Sequence, residues 1–501
     1  MRLEPIKIPI PLQALLIFAI FFAFMAGIQF ATPDMPDNDG FYHIKLAAIM
    51  REQGLKPDFP WLPLSILNPA EYYDHHFLYH VALMPFTFGD LRLGAKWSAV
   101  VFSSLAFLAI WWLLLGQRVP YAALWALGLL AVSEAFLYRM SVTRAQSLSL
   151  GILALGLHWL LTGKNRPLTI LAFLYVWTYN AFPLLPVLGV IHASAVWLIE
   201  RRLNLRPLLF IAAGTLLGLV INLYFPQNLV FIYHHILPKL TDATSISVGN
   251  EWFPYDTGQL LENSPLALAA FVSGALALGL SGRKMNTATA TSFLAAAMFG
   301  LMLFQARRFV EYFPPFGLIF AALAWSPLFE RELASPSGLP VSRFSTLLTR
   351  LAPVILSIIL MVGMLLTYQD AQASLRRSKP YTLYAGASRW LENRTQPGER
   401  IFQTDWDDFP RLFFYNASNT YLIGLDPTYM QLYNAALYDQ WVEITQGKVE
   451  NPSQAIWADF GARYVVSDLN HSAFMRRASQ DPSMREVYRD EFSVVYEIIK
   501  K

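Results

Sequence analysis

The sequence predicts a polytopic α-helical membrane domain of about eleven transmembrane helices, followed by a small soluble α/β domain. Three observations predict it. Hydrophobic residues make up 55% of the 501-residue chain and charged residues only 15%, against about 25% charged in an ordinary soluble domain. The charge is unevenly spread, with 32 charged residues among the 132 from Asp370 onward and 41 among the first 369. Apolar runs of bilayer-crossing length recur through residues 1–369 and stop there. The expected division is therefore a membrane domain over 1–369 and an extracytoplasmic domain over 370–501. This composition excludes a soluble enzyme, a fibrous protein and a disordered chain. The lack of cysteine excludes disulfides and thiolate metal sites. A net charge of +3 gives no reason to expect a nucleic-acid partner.

The first apolar run, Ile10–Phe30, follows Arg2 and Lys7. Ala31-Thr32-Pro33 is a poor cleavage site, so a retained helix with its N-terminus inside is expected. Ten further spans are expected at Lys96–Leu115, Tyr121–Leu137, Ser147–Thr162, Pro167–Tyr179, Leu184–Ile199, Pro207–Phe225, Pro265–Leu280, Ala288–Phe304, Phe309–Phe329 and Leu351–Tyr368. With this count, Lys and Arg concentrate in the inside loops, which puts the C-terminal domain on the periplasmic face of an inner (plasma) membrane. Phe77–Phe88 is too short to span and reads as an interfacial or re-entrant helix. In the C-terminal domain, strands are expected at Arg400–Thr404, Tyr421–Leu425, Arg463–Ser467 and Ser493–Ile498. Helices are expected at Tyr381–Arg394 and Pro427–Gln446. This alternation suggests a small α/β layer.

Two long outside loops, 31–95 and 226–264, are rich in aromatic, His and acidic residues. Long loops of that composition are usually functional. The first opens with Asp37-Asn38-Asp39-Gly40-Phe41-Tyr42-His43. Two carboxylates beside a flexible Gly can share a cation or act as a base; equally, Asp39 can simply begin an amphipathic helix. Asp74-His75-His76 and His80 form a second cluster, where the i, i+4 spacing of His76 and His80 suits a metal. Asp39, His75 and His76 are the candidate ligands. Arg307-Arg308-Phe309-Val310-Glu311-Tyr312 lies at the outer end of a span. Its guanidiniums either pair with Glu311 or face a lipid phosphate, which the planar fork of Arg suits. Glu134, Arg139 and Arg144 are placed to pair with one another. Glu251 in the second loop and Asp405-Trp406-Asp407-Asp408 after a strand are further polar candidates.

Taken in order, these segments resemble the GT-C superfamily of membrane glycosyltransferases, most of all the bacterial and archaeal oligosaccharyltransferase catalytic subunits. Asn38-Asp39-Gly40-Phe41-Tyr42-His43 is similar to that family's first-loop aspartate motif. Pro85-Phe86-Thr87-Phe88 resembles its following turn. Arg308-Phe309-Val310-Glu311-Tyr312 resembles the motif that supplies an arginine to the lipid pyrophosphate. Ser247-Val248-Gly249-Asn250-Glu251 approximates its mobile-loop motif, one residue too long. Asp405-Trp406-Asp407-Asp408-Phe409 shares only the central Trp-Asp of its acceptor-reading motif. The family's second carboxylate pair is absent, because 138–147 carries Arg139 and Arg144 instead. In that respect the chain is closer to protein O-mannosyltransferases and lipid A aminoarabinose transferases.

The resemblance implies a glycosyltransferase that moves a sugar or oligosaccharide from a polyprenyl-phosphate or pyrophosphate donor. The acceptor would be a lipid, a glycan or a protein on the extracytoplasmic side. Asp39 would be the catalytic base or the anchor of a divalent cation (Mg or Mn), with Asp37 its partner. Arg308, Arg307 and Arg144 would face donor phosphate. Glu251, Trp406, Asp407 and His43 would complete the substrate-binding set. A non-catalytic lipid-glycan binding or assembly subunit is the alternative that the incomplete carboxylate set suggests.

Overall fold

The apolar runs become helices, and the polar chain between them folds with the C-terminal residues. The computed structural model describes residues 9–241, 249–334 and 343–499. The chain divides into two units. The first comprises residues up to Pro33, Lys96–Gly218 and Asn250–Arg377; the second comprises Asp34–Ala95, Leu219–Gly249 and Ser378 onward.

Among its described residues, the regular structure of the first unit is all helix. Five of its helices are long and apolar enough to cross a membrane: Ile10–Gln29, Leu91–Gly116, Thr287–Gln305, Phe313–Glu330 and Leu356–Arg376. The count reaches seven if each of two bent pairs is one span, among the described residues and by length and composition; the expected eleven is neither reached nor excluded by this measure. The shorter helices Gln146–Leu161, Leu184–Glu200 and Arg206–Val220 are apolar but span fewer residues. The helix that contains the last of these spans is Arg343–Leu375, and the first unit runs to Arg377. Leucines such as Leu209, Leu276 and Leu301 remain well exposed on these helices, as lipid-facing positions do. One close contact is built on small residues. Gly214 and Gly218 sit one turn apart, where an added Cβ would lie 2.1 Å from Thr169 O and 3.0 Å from Phe173 O, respectively. Helix 206–220 therefore meets helix Asn165–Thr178 backbone to backbone, the packing that small-xxx-small patterns permit in lipid.

The two bent pairs shape the unit's polar end. Ala122–Leu130 turns by 85° into Glu134–Met140, and Thr257–Asn263 turns by 84° into Pro265–Ser281. The expected single span Tyr121–Leu137 is thus broken. A break inside a membrane frees backbone groups that need partners. Here the breaks satisfy each other. Ser133 Oγ accepts from Phe136 N–H, donates to Asn263 O at 2.9 Å and lies 2.8 Å from Ser264 Oγ.

The second unit contains a five-stranded sheet: β1 Arg400–Gln403, β2 Thr420–Tyr421, β3 Tyr464–Asp468, β4 Met484–Arg489 and β5 Ser493–Ile498. The order is β2-β1-β3-β5-β4. β1 runs parallel to β2 and β3, and β5 runs antiparallel to β3 and β4. The expected strands at β1, β3 and β5 are present, β2 is shorter than expected, and β4 is additional. The parallel strands are buried on both faces, so they read as β-branched and aromatic runs. The hairpin after β4 turns at Asp490, whose carboxylate accepts the N–H groups of Phe492 and Ser493. The expected single helix 427–446 is two, Thr428–Tyr433 and Ala435–Thr445, because Asn434 is extended and its side chain caps the second.

The first loop belongs to this unit rather than to the membrane helices. Asp39–Gln53 is a helix, as expected, and Phe77–Leu83 continues into a 3-10 turn, Met84–Thr87. Tyr421 N–H donates to Trp61 O, Ile66 N–H donates to Tyr429 O, and Trp61 Nε1–H donates to Ala417 O. Phe41 packs edge-on to Phe414, and Trp61 packs edge-on to Phe413.

Candidate functional site

Both units hold polar clusters among their described residues. In the first unit the break at Ser133 directs the short helix Glu134–Met140, which carries Arg139. Arg139 donates through Nε to Glu311 Oε1 at 2.7 Å and also pairs there through Nη2. Its Nη1 lies 2.9 Å from Glu251 Oε2, and Arg144 Nη1 approaches the same oxygen at 3.2 Å. Arg308 Nη1 lies 3.6 Å from Glu251 Oε1, its Nη2 donates to Tyr179 Oη at 2.9 Å, and its guanidinium stacks over Trp252 at 4.1 Å. Glu251 is therefore ringed by three guanidiniums. Burial opposes its ionisation, but Arg139, Arg308 and Arg144 outweigh that and hold its carboxyl far below the usual carboxylate range. Arg307 stands aside: its Nε donates to Pro254 O at 3.1 Å and its guanidinium lies over Tyr255.

The pairing differs from what adjacency suggests. Glu311 binds Arg139 rather than the neighbouring arginines, and Arg139 and Arg144 both turn to Glu251 rather than to Glu134. The sequence brings Arg144, Glu251 and Arg308 into view, and the structure joins them. Arg139 as the hub and Tyr179 as a partner were not legible, because both contacts bridge more than a hundred residues.

In the second unit, Asn38 is the link between the first loop and the sheet domain. Its Nδ2 donates to Asp407 Oδ2 at 2.6 Å and to Asp407 O at 3.0 Å. Its Oδ1 accepts from Arg411 Nε at 2.6 Å. Arg411 is 1% exposed, lies over the Phe41 ring and donates to Pro380 O. A guanidinium only donates, so the amide orientation is fixed by chemistry. Asp37 Oδ1 accepts from Asn38 N–H. Asp39 follows as the first residue of helix 39–53. The Asp37–Asp39 tip and the Trp406-Asp407 segment, both picked out in the sequence, thus meet through Asn38. Beside them Asp408 is buried. Burial and Asp405 push its carboxyl well up, against a hydrogen bond from Tyr384 Oη at 2.7 Å.

The histidines form a chain. His80 Nδ1 lies 2.8 Å from Asp74 Oδ2, and His80 Nε2 lies 2.8 Å from His43 Nδ1. Both nitrogens of His80 are engaged, so it has no lone pair to give a metal, contrary to the expected pairing with His76. With neutral imidazoles and an ionised Asp74, the protons lie on His80 Nδ1 and His43 Nδ1, leaving His43 Nε2 an acceptor. His76 begins this helix as its N-cap, and His75 stacks on Phe231. Among the described residues no three His, Asp or Glu are arranged to hold a metal ion. Asp39, His75 and His76 are not gathered into such a group among the described residues. Arg2, Lys7, Ser247 and Val248 lie outside the described residues.

No family model and no curated protein matches the sequence. Solved structures do match. The oligosaccharyltransferase of Archaeoglobus fulgidus in its apo form has a TM-score of 0.67 at 14% identity, over 93% of this chain and 71% of that one. The same organism's AglB, in complex with an inhibitory peptide and a dolichol-phosphate, gives 0.65 at 14%, over 94% and 71%. ArnT from Cupriavidus metallidurans bound to undecaprenyl phosphate gives 0.60 at 15%, over 97% and 98%. Likeness at this identity shows the fold alone: the chain is built as those oligosaccharyltransferases and ArnT are. Its apolar helices make it a multi-pass membrane protein.

Proposed function

We propose that the protein is a membrane glycosyltransferase that moves a sugar or oligosaccharide from a polyprenyl-phosphate or pyrophosphate donor to an acceptor on the extracytoplasmic side of the inner membrane. The observation that carries the reading is the convergence of the half-buried Arg139, Arg144 and Arg308. Three guanidiniums against two carboxylates leave one excess positive charge, which suits an anionic head group. Similarity to proteins whose structures hold dolichol-phosphate and undecaprenyl phosphate supports a lipid donor. Within this reading the arginines neutralise charge on the departing phosphate as the glycosidic bond breaks. Asp39, with Asp37 beside it, takes the proton of the acceptor nucleophile. Trp406 and Asp407, the latter held by Asn38, contact the acceptor, and His43 lies in the same substrate-binding set.

The test is transfer from a polyprenyl-linked sugar by purified protein, compared with Asp39→Asn. That variant keeps the size and hydrogen-bonding shape of the side chain, so it is expected to fold and to lose transfer by about 100-fold or more, the usual contribution of a general base. Wild-type rates in Asp39→Asn would remove Asp39 from the mechanism. Donor binding without turnover in the wild-type protein would favour the assembly-subunit reading.

A further inference from the structure

The position that the lipid-phosphate reading assigns to the donor is already filled by the chain itself. Glu251 presents both carboxylate oxygens to guanidiniums, Oε2 to Arg139 and Arg144 and Oε1 to Arg308. A planar anion held by several arginine forks is the recognition that phosphate also receives. The charge balance points the same way. With Glu251 and Glu311 in place, the three guanidiniums keep one surplus charge. Without Glu251 they keep two, which suits the two phosphates of a pyrophosphate-linked donor, or the free lipid phosphate monoester at about −1.5 to −2 near neutral pH.

The two carboxylates are not equivalent. Glu311 is 1% exposed and joined to Arg139 through two guanidinium nitrogens, whereas Glu251 is 25% exposed and sits on the three-residue turn Asn250–Trp252. Glu251 is the one that can leave without unpacking a helix. We propose that Glu251 is an internal stand-in for the donor phosphate: it occupies the guanidinium cluster in the resting protein and is displaced when lipid-borne phosphate docks. This rests on the lipid-phosphate reading above and adds an exchange to it. Because Trp252 stacks on Arg308, the exchange also moves the turn that carries Glu251.

The experiment measures binding of undecaprenyl phosphate to the full-length protein in nanodiscs. The variants are Glu251→Gln, Glu251→Ala and Arg308→Ala. An internal competitor predicts that both Glu251 variants bind tighter, by roughly tenfold or more, the scale of one charge-assisted hydrogen bond. Equal or weaker binding by both would make Glu251 a brace and overturn the proposal. Arg308→Ala separates the two failures. If it weakens binding while the Glu251 variants do not tighten it, only the stand-in is wrong. If no form binds the lipid through Arg308, the phosphate reading falls and the stand-in with it. A second measurement covers misfolding of the Glu251 variants. The chain has no cysteine, so Phe253→Cys gives a background-free thiol directly after this turn. Its labelling rate is expected to change when undecaprenyl phosphate is added, and an unchanged rate contradicts displacement.

Discussion

Replacing Asn38 by aspartate tests the link between the first loop and the sheet domain with a change of one atom type. In the wild type the amide donates twice to Asp407 and accepts once from Arg411. Aspartate keeps the Arg411 contact and turns both donors into acceptors. The hydrogen bond to the Asp407 carboxylate is worth about 1.5–3 kcal/mol and the one to its carbonyl about 1 kcal/mol. Their loss leaves two carboxylates facing each other at a site where Asn38 is 7% exposed and Arg411 1%. The new charge gains some attraction from Arg411, so the net cost is about 2–4 kcal/mol. The partner change Asp407→Asn costs less, because the new amide at position 407 can still present an oxygen to Asn38. In the double variant, the carboxylate at position 38 accepts from Arg411 and from the amide at position 407, and most of the loss returns. The assay is native-state proteolysis of the purified protein in increasing urea, followed through the C-terminal domain. The cycle should show a favourable coupling of about 2 kcal/mol. Asn38→Asp as stable as wild type, or a double variant no better than the single one, would refute the hydrogen-bond assignment.

A pH dependence is expected from His471 and Asp468. Their side chains meet at 2.5 Å, which raises the imidazole pKa and, despite opposing burial, lowers the carboxyl pKa. The raised group stabilises below about pH 6.5, its unfolded value, and that contribution is lost as pH rises through the folded value. The lowered group stabilises above about pH 3.9, its unfolded value, and that contribution is lost as pH falls through the folded value. Urea unfolding of wild type against His471→Gln should therefore differ most in mildly acid solution and converge in alkaline solution; a constant gap would exclude the pair as its source. Gly214→Val should lower stability by several kcal/mol or prevent folding, since its side chain would meet Thr169 backbone rather than a movable side chain. Detergent-resistant folded yield measures it, and normal yield would mean that the two helices can part.

Much of the fold was legible because membrane and sheet impose strong patterns. Ile10–Gln29 and Leu91–Gly116 announce themselves through unbroken apolar length, and β3 and β5 through runs of valine. The break at Ser133 was not legible, since no proline interrupts its apolar run and its partner Ser264 lies more than a hundred residues away. Helices Pro452–Phe460 and Ser472–Gln480 were missed because each is only two or three turns long. At the sites, residue type betrayed the candidates but not the pairing. An arginine inside Phe409-Pro410-Arg411-Leu412-Phe413 was a signal that could have been read: a charge in so apolar a run needs a buried partner. Asn38 gave no signal, as its neighbours Asp37 and Asp39 carried the obvious chemistry.

Residues 34–95 leave the ribosome long before the strands with which they assemble: Trp61 and Ala417, joined by one hydrogen bond, are 356 positions apart. Until Ser378 onward has been synthesised, Phe41 and Trp61 lack the rings that cover them. Assembly of this unit therefore waits on the residues from Ser378 onward, and a fragment beginning at Ser378 would carry an uncovered aromatic face. Supplying 34–95 in trans, as a second polypeptide, is the natural remedy when that domain is wanted by itself.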